Sequence, residues 1–259
     1  MKFSIITPSF NQGRFIRDCV ESVKAQTDVD WEHIVQDTGS TDETLAVLQK
    51  YPHLKLACEK DQGMSDGINR GFRKATGDLV MWLNTDDYLL PGALAQVADY
   101  ATKHPEADFI HGDVLFVDAD KKLLRVKREH HFDFKVLLYY GCYIQSTASF
   151  LQRKIIEAGH LLDVDYRVVM DFEYYVRLAR LGYQFHYSPG PLAAFRWHDT
   201  NTSAVQHQRR HEERLRVQRR QLQLEGRANP PSERTLRWLY RVFQIKHAWL
   251  RFRVHGVLR

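Results

Sequence analysis

Two adjacent carboxylates, Asp86 and Asp87, directly follow a short apolar run over residues 79–83. A run of this length that is apolar throughout is typical of a strand covered on both faces, as in a parallel sheet. Pro91 lies shortly after the pair, where it suits the first turn of a helix. Two carboxylates at the carboxyl end of such a strand can hold a hard divalent cation, and the cation can hold a diphosphate. An Asp pair is also ordinary turn chemistry, so the pair alone does not define a site.

Further polar side chains follow other predicted strands. They are residues 7–11 after a strand over 3–7, Asp37 after a strand over 33–37, and His198 after a strand over 192–197. Strands that alternate with helices predict right-handed crossovers and a parallel sheet, which would bring these side chains to one edge. Asp171 begins a helix that could close over that edge. Each of these residues has an ordinary alternative role, as a turn residue, a helix cap or a hydrogen-bonded strand end.

Local patterns predict where other elements begin and pair. Ser40 and Glu43 have the spacing of a capping box, which predicts a helix start, and Asp66 is placed to cap a further helix. In the second half, the predicted strands cover residues 109–111, 114–117 and 145–151, with residues 123–128 antiparallel to 114–117.

The composition excludes several classes of protein. The chain has 259 residues, of which 44% are hydrophobic and 12% aromatic, so it can bury a large core and is not a disordered chain. Cys19, Cys58 and Cys142 are far apart and odd in number, which excludes a disulfide framework and favours a reducing compartment. The first ten residues lack a secretory pattern, and no apolar stretch reaches the roughly 20 residues that span a bilayer. These features predict a cytoplasmic protein.

The net charge of +5 is unevenly distributed. Residues 206–259 hold 14 Lys and Arg against 4 Asp and Glu, a balance of +10, and the remainder has a balance of −5. Residues 232–254 form a predicted helix with apolar residues on one broad face: Trp238, Leu239, Val242, Phe243, Ile245, Trp249 and Leu250. Arginines opposite this face suit an anionic membrane surface. The alternatives are packing on the rest of the chain or on a second copy of it. No nucleic-acid module accompanies the basic residues.

Five ordered motifs within residues 3–200 resemble family-two glycosyltransferases, which have the GT-A fold. The motifs are Thr7-Pro-Ser-Phe-Asn-Gln, Gln36-Asp-Thr-Gly-Ser-Thr-Asp-Glu-Thr, Asp61-Gln-Gly-Met-Ser-Asp-Gly-Ile-Asn-Arg-Gly, Leu83-Asn-Thr-Asp-Asp-Tyr-Leu-Leu-Pro-Gly-Ala-Leu and Met170-Asp-Phe-Glu-Tyr-Tyr-Val-Arg-Leu. The resemblance implies an α/β protein with a mainly parallel, Rossmann-like central sheet flanked by helices. We expect a catalytic domain over 1–203, with a nucleotide-sugar half (1–105) and an acceptor half (106–203), followed by a basic helical tail (204–259).

The resemblance also implies roles for individual residues. Asp171 matches the general base of the family, Asp87 the metal ligand, and His198 a late histidine near the donor phosphates or the metal, which is Mn²⁺ or Mg²⁺. Asn84 stands where many relatives have a further Asp. The implied donor-binding residues are Thr7, Pro8, Ser9, Asn11, Asp37, Asp66, Asn69 and Asp86, with Asp86 nearer the ribose. Gln145 and Ser146 are candidates for the acceptor side.

The expected reaction is an inverting transfer of sugar from a nucleotide-diphospho-sugar, with UDP as the expected nucleotide, to a hydroxyl of a lipid-linked or polymeric glycan. Lipopolysaccharide, capsule or exopolysaccharide assembly at the inner face of the plasma membrane is the setting that the resemblance suggests. Two other functions stay open. A sugar-1-phosphate nucleotidyltransferase shares the related fold, although it usually has a Gly-rich basic loop after the first strand, and none is present here. A non-catalytic glycan- or lipid-binding module could also keep the fold.

Overall fold

The strands of the protein form one sheet in a computed structural model that describes residues 1–199, 201, 205–224 and 232–256. Within these ranges the strands are β1 (Lys2–Ser9), β2 (Asp30–Asp37), β3 (Leu54–Cys58), β4 (Leu79–Trp82), β5 (Tyr88–Leu89), β6 (Phe109–Val117), β7 (Leu123–Lys127), β8 (Ser149–Gln152) and β9 (Phe185–Arg196). Their order across the sheet is β3-β2-β1-β4-β8-β6-β9-β5, with β7 paired to β6.

Helices cover both faces of this sheet. They are α1 (Gly13–Lys24), α2 (Thr44–Leu48), α3 (Met64–Lys74), α4 (Ala93–Lys103), α5 (Arg153–Glu157), α6 (Met170–Arg180), α7 (His207–Leu224) and α8 (Glu233–His255). A π-helical turn at Val136–Tyr140 and a 3₁₀ turn at Ser146–Ala148 connect strands in the second half.

The sheet is mainly parallel, as predicted. β1 pairs in parallel with β2 and with β4, and β2 pairs in parallel with β3. β8 is antiparallel to both β4 and β6, so β6 runs in the direction of β4, and β9 is parallel to β6. Parallel strands in this arrangement are covered on both faces, which explains why all four residues of β4 are buried. The carboxyl ends of β1, β2, β4 and β9 therefore lie along one edge.

Some local predictions were wrong in ways that the contacts explain. The capping box at Ser40 does not form: Ser40 Oγ donates to Asp37 Oδ2 at 2.6 Å, and α2 begins only at Thr44, whose backbone N–H donates to Asp42 Oδ1. α3 begins two residues before Asp66, after Gly63. The strand predicted over residues 145–151 is a 3₁₀ turn followed by β8.

The strands predicted at 109–111 and 114–117 are one continuous strand, β6, at the centre of the second half. The antiparallel partner predicted at residues 123–128 is confirmed as β7. β6 is central because β8, β9 and β7 all pair with it. Because β6 is buried between two core clusters, its sequence does not alternate between apolar and polar residues as that of a half-exposed strand does.

The two tail helices pack on the body of the protein. The buried Glu213 of α7 accepts hydrogen bonds from the backbone N–H groups of Arg167, Val168 and Val169, directly before α6. Arg167 and Val168 precede α6 and Val169 is its N-cap, so one side chain of α7 fixes the turn that leads into α6. The predicted single apolar face of α8 is instead divided. Leu236, Leu239, Phe243 and Leu250 contact the main core, whereas other apolar residues of α8 stay exposed: Trp238, Val242, Ile245, Trp249 and Phe252.

Candidate active site

An open cleft of about 630 Å³ lies at the carboxyl edge of the sheet. Its walls include Pro8 near the end of β1, Asp86 after β4, His198 after β9 and Asp171 at the start of α6. Four segments far apart in the sequence therefore share one cavity. This is where open α/β sheets bind ligands.

Asp86 and His198 form a pair on one side of the cleft. His198 Nε2 lies 3.0 Å from Asp86 Oδ2, and Asn201 Nδ2 donates to the same oxygen at 3.3 Å. The His198 ring stacks on Phe15 of α1 with centroids 4.9 Å apart, and its backbone N–H donates to Asn201 Oδ1. These contacts hold the carboxylate and the imidazole in fixed positions at the cleft.

Asp87 does not reach the cleft. Its side chain is fully buried, Thr147 Oγ1 donates to Oδ2 at 2.5 Å, and the backbone N–H of Arg196 donates to Oδ1 at 2.9 Å. Burial, together with the neighbouring charge of Asp86, raises the pKa of Asp87 well above its ordinary value. The sequence predicted Asp87 as the metal ligand and Asp86 as the ribose contact; in the structure Asp86 lines the cleft, and Asp87 ties the segment after β4 to the 3₁₀ turn and β9.

The residues that fit a divalent cation lie around Asp86. A carboxylate oxygen and an imidazole nitrogen already stand 3.0 Å apart. Asn84 also lines the cleft, and its buried Oδ1 has no hydrogen-bond partner among the described residues. An orphaned buried oxygen is costly unless a ligand or ion satisfies it. Carboxylate, amide oxygen and imidazole together suit Mn²⁺, and the oxygen ligands suit Mg²⁺.

Asp37 hydrogen-bonds to the end of β1 and to the segment that follows β2. Asp37 is fully buried, and it accepts four hydrogen bonds, from the Oγ atoms of Ser9 and Ser40 and from the backbone N–H groups of Gly39 and Ser40. Ser9 is thereby occupied as well. Asp37 thus fixes the shape of the loop on the predicted donor side. These bonds give Asp37 a structural role and do not show a contact with a nucleotide.

Other residues predicted for the donor side are placed as supports. Thr7 is buried with its Oγ1 2.8 Å from His33 Nε2, and Asn11 Oδ1 accepts from the backbone N–H of Thr41. Asn69 bonds the backbone of Leu162 through both ends of its amide, and Asp66 is paired with Arg70. Of the predicted donor residues, Pro8 and Asp86 line the cleft in the described structure.

Asp171 also lines the cleft, from the start of α6. Burial raises the pKa of its carboxyl group, although the Phe172 backbone N–H and the Cys142 thiol, 3.7 Å from Oδ2, oppose that rise. A carboxylate with a raised pKa is a better proton acceptor, which suits a general base. Gln145 and Ser146, which were predicted for the acceptor side, line the same cleft.

Several contacts within the site were not predicted from the sequence. Asn201 and Phe15 orient His198. Thr147 donates a hydrogen bond to Asp87, and Cys142 contacts Asp171. None of them stands in a local pattern that distinguishes it from a core residue. The only available signal was position, since Asn201 follows His198 by three residues and could bond back to it.

Comparisons with known proteins place the chain in a family. The sequence profile of "Glycosyl transferase family 2" matches residues 4–159. A "PGL/p-HBAD biosynthesis glycosyltransferase" of Mycobacterium bovis is 32% identical over 181 residues, which are 68% of each chain. The "Uncharacterized glycosyltransferase YwdF" of Bacillus subtilis is 27% identical over 190 residues, 70% of this chain and 69% of that protein.

Solved structures show the same fold. S. aureus TarS 1-349 in complex with UDP has a TM-score of 0.67 at 18% identity, over 99% of this chain and 74% of that one. A mannosyltransferase, PcManGT from Pyrobaculum calidifontis, in complex with GDP-Man and Mn²⁺, has a TM-score of 0.64 at 19% identity, over 96% and 71%. The profile match over more than half the chain agrees with the GT-A architecture and the shared cleft: the protein belongs to glycosyl transferase family 2.

Proposed function

We propose that the protein is a metal-dependent inverting glycosyltransferase that uses a nucleotide-diphospho-sugar, with UDP as the nucleotide. The observation that carries this proposal is that Asp171 and the pair Asp86–His198 line one cavity. A single displacement needs the leaving diphosphate on one side of the anomeric carbon and the attacking hydroxyl, with its base, on the other. The complexes of TarS with UDP and of PcManGT with GDP-Man and Mn²⁺ support a nucleotide-sugar donor.

Asp86, His198 and the carbonyl oxygen of the Asn84 side chain would hold the cation. When bound, a divalent cation neutralises the negative charge that develops on a departing nucleoside diphosphate. Pro8 and Gln12 line the same side of the cleft and would contact the donor there. Asp37, Ser9, Thr7 and Asn11 contribute by keeping the loops after β1 and β2 in shape.

Asp171 would act as the base. The acceptor hydroxyl attacks the anomeric carbon, its proton passes to the Asp171 carboxylate, and the bond from the anomeric carbon to the diphosphate breaks. One displacement inverts the configuration, so no protein nucleophile is required. Gln145 and Ser146 would contact the acceptor, in keeping with an acceptor half over residues 106–203.

We also propose that α8 places the enzyme on an anionic membrane, where a lipid-linked acceptor would be presented. Trp238, Val242, Ile245, Trp249 and Phe252 recur three or four residues apart and form an exposed apolar stripe. The stripe is flanked by exposed arginines at 234, 241 and 253. Such a helix can lie at a bilayer surface without crossing it. None of the described helices is long and apolar enough to span a bilayer.

The proposed function is tested by a panel of nucleotide sugars with and without Mn²⁺. A matching donor should raise the unfolding temperature in the presence of Mn²⁺, because a ligand that binds only the folded state stabilises it. Asp171→Asn should abolish transfer and leave donor binding near normal. Asp165→Asn, at an exposed position shortly before α6, is the matched control and should keep full activity.

Three results would contradict the proposal. Release of pyrophosphate from a nucleoside triphosphate and a sugar 1-phosphate would identify a nucleotidyltransferase. Failure to bind any nucleotide would favour a non-catalytic module. Transfer at the wild-type rate by Asp171→Asn would remove the base from its proposed role.

A further inference from the structure

The wall of the cleft carries more positive charge than the proposed donor site accounts for. The charged side chains around the cleft are two carboxylates, Asp86 and Asp171, against five cations: Arg125, Lys127, Arg167, Arg210 and Arg214. Lys127 is paired with Glu129 at 3.1 Å. In the described parts of the chain, Arg214 has no carboxylate partner.

Arg214 is held by contacts with two other segments of the chain. It is half-buried on α7, and its Nη2 donates to the carbonyl oxygens of Tyr139 and Tyr140 at 2.8 and 2.9 Å. Its guanidinium carbon lies 5.1 Å from the ring centre of Tyr240, which belongs to α8. A β-carbon on Gly141, whose φ is +126°, would lie 3.6 Å from the guanidinium, so the bare backbone of Gly141 packs against it.

The partners of Arg214 are therefore dipoles and a ring, not a counter-charge. Burial lowers the pKa of Arg214, which shows that its surroundings disfavour the charged form. A half-buried cation without a counter-ion is costly, and an arriving anion would offset that cost. The two carbonyls occupy Nη2, so the N–H groups of Nη1 and Nε remain to donate to the oxygens of a carboxylate or phosphate.

The position of Arg214 points to the acceptor rather than the donor. The segment that holds it, Tyr139 to Gly141, continues into Cys142, whose thiol contacts Asp171. The arginine and the base are thus fixed by one short stretch of chain in the second half. The cation-binding residues Asn84, Asp86 and His198 come from other strands.

We propose that Arg214 binds an anionic group of the acceptor, a phosphate or a carboxylate, beside the hydroxyl that Asp171 deprotonates. This inference rests on the proposed glycosyltransferase function, and it makes the acceptor an anionic glycan or a glycan on a phosphate-bearing carrier. Tyr240, which packs on Arg214, brings α8 to the same place, so the helix with the exposed apolar stripe also borders the acceptor site.

The test uses the full chain with UDP and Mn²⁺ present and titrates phenyl phosphate, benzoate and phenyl glucoside by calorimetry. The wild type should bind the two anions more tightly than the neutral glucoside. Arg214→Gln should weaken anion binding at least tenfold and leave UDP affinity unchanged. Preference for phenyl phosphate would indicate a phosphate-bearing acceptor, and preference for benzoate a uronic-acid-type acceptor.

Two further variants separate binding from folding. Arg214→Lys keeps the positive charge but lacks the planar guanidinium group, so it should bind the anions with intermediate affinity. Arg219→Gln removes an exposed arginine of the same helix and should bind like the wild type. Unchanged phenyl phosphate binding in Arg214→Gln, or an equal loss of UDP affinity, would overturn the acceptor subsite. UDP binding by the wild type is measured separately, so failure of the donor proposal and failure of this subsite can be told apart.

Discussion

The adjacent carboxylates Asp86 and Asp87 differ in environment although they share one motif. Asp86 is partly exposed at the cleft beside His198, and Asp87 is fully buried with both oxygens accepting hydrogen bonds. Both residues lie in the segment between β4 and β5, where different hydrogen-bond partners hold their side chains. Asp86 therefore faces the cleft, and Asp87 faces the core.

Substitution of each carboxylate by asparagine should separate these roles. Asp86→Asn should remove the stabilisation of UDP by Mn²⁺ and lower transfer roughly a hundredfold or more, with the metal-free unfolding temperature nearly unchanged. Asp87→Asn should keep the response to Mn²⁺ but lose about 1–3 kcal/mol of folding stability, because an amide donor would face the hydroxyl of Thr147 or the N–H of Arg196. Thermal shifts measured with and without Mn²⁺ check both predictions. If Asp87→Asn, and not Asp86→Asn, removed the response to Mn²⁺, Asp87 would be the metal ligand.

The pH dependence of transfer should report Asp171. A general base works only when deprotonated, so the rate should fall as the pH drops through the pKa of Asp171, which burial raises above its ordinary value. The Cys142 thiol donates to this carboxylate and opposes the rise. Cys142→Ala should therefore move the acid limb of the rate profile to higher pH.

The size of the effect at the plateau distinguishes positioning from chemistry. One hydrogen bond contributes about 1 kcal/mol, so Cys142→Ala should change the high-pH rate by less than about tenfold. Cys58→Ala, at the exposed end of β3, is the control and should leave the profile in place. An acid limb that does not move in Cys142→Ala would show that the thiol does not influence the base.

At the scale of elements, the first half of the fold was predictable and the second half only in part. β1 to β4 and their helices follow short apolar runs separated by turn residues, and local pattern decides such elements. β6, β8 and β9 are brought together by tertiary pairing, which no local pattern encodes. The same division applies to the site: strand-end polar residues such as Asp86 and His198 were predicted, and their supports Phe15 and Asn201 were not.

The attachment of α8 to the body depends on a buried charge cluster. Glu129 forms an ion pair with Lys127 at 3.1 Å, and its Oε2 lies 3.2 Å from Nε2 of His247, a residue of α8. His255, near the end of α8, contacts the Glu129 carbonyl oxygen at 2.6 Å. Burial alone would raise the pKa of Glu129, but the charge of Lys127 and the bond to His247 outweigh it and lower the pKa to about 2.

This low pKa makes a prediction about stability against pH. An exposed Glu titrates near ~4.3, so the contribution of Glu129 is present above that pH and is lost as the pH falls towards about 2. Glu129→Gln should lower the free energy of unfolding at pH 7 by about 3 kcal/mol, because a buried charge loses its partner. Urea unfolding should show the difference from wild type shrinking below pH 4. Glu212→Gln, exposed on α7, should change stability by less than about 0.5 kcal/mol.

At the scale of the whole molecule, charge and apolar surface are divided between the two parts of the chain. The body carries a formal balance of −5 and residues 206–259 a balance of +10. One side of α8 is used for packing on the core, and the opposite side presents large apolar residues to solvent. Contiguous exposed apolar surface on a folded protein marks an interaction site. Because arginines flank the stripe, we propose an anionic bilayer as its partner; the acidic body would be repelled from the same surface.

Vesicle binding provides the measurement. The protein should co-sediment with vesicles that contain an anionic lipid, bind uncharged phosphatidylcholine vesicles more weakly, and dissociate as salt is raised, since the Debye length shortens from about 10 Å at 0.1 M. The double variant Trp238→Ala/Trp249→Ala should lose about 2 kcal/mol of membrane affinity, roughly thirtyfold, because both rings would be partly buried at the interface. Leu124→Ala, an exposed apolar residue on β7, should bind as the wild type does. If the stripe instead mediates dimerisation, the mass of the wild type in solution should rise with protein concentration. Binding to the two kinds of vesicle should then be equal and independent of salt. That result would identify a second copy of the chain, and not a membrane, as the partner of the stripe.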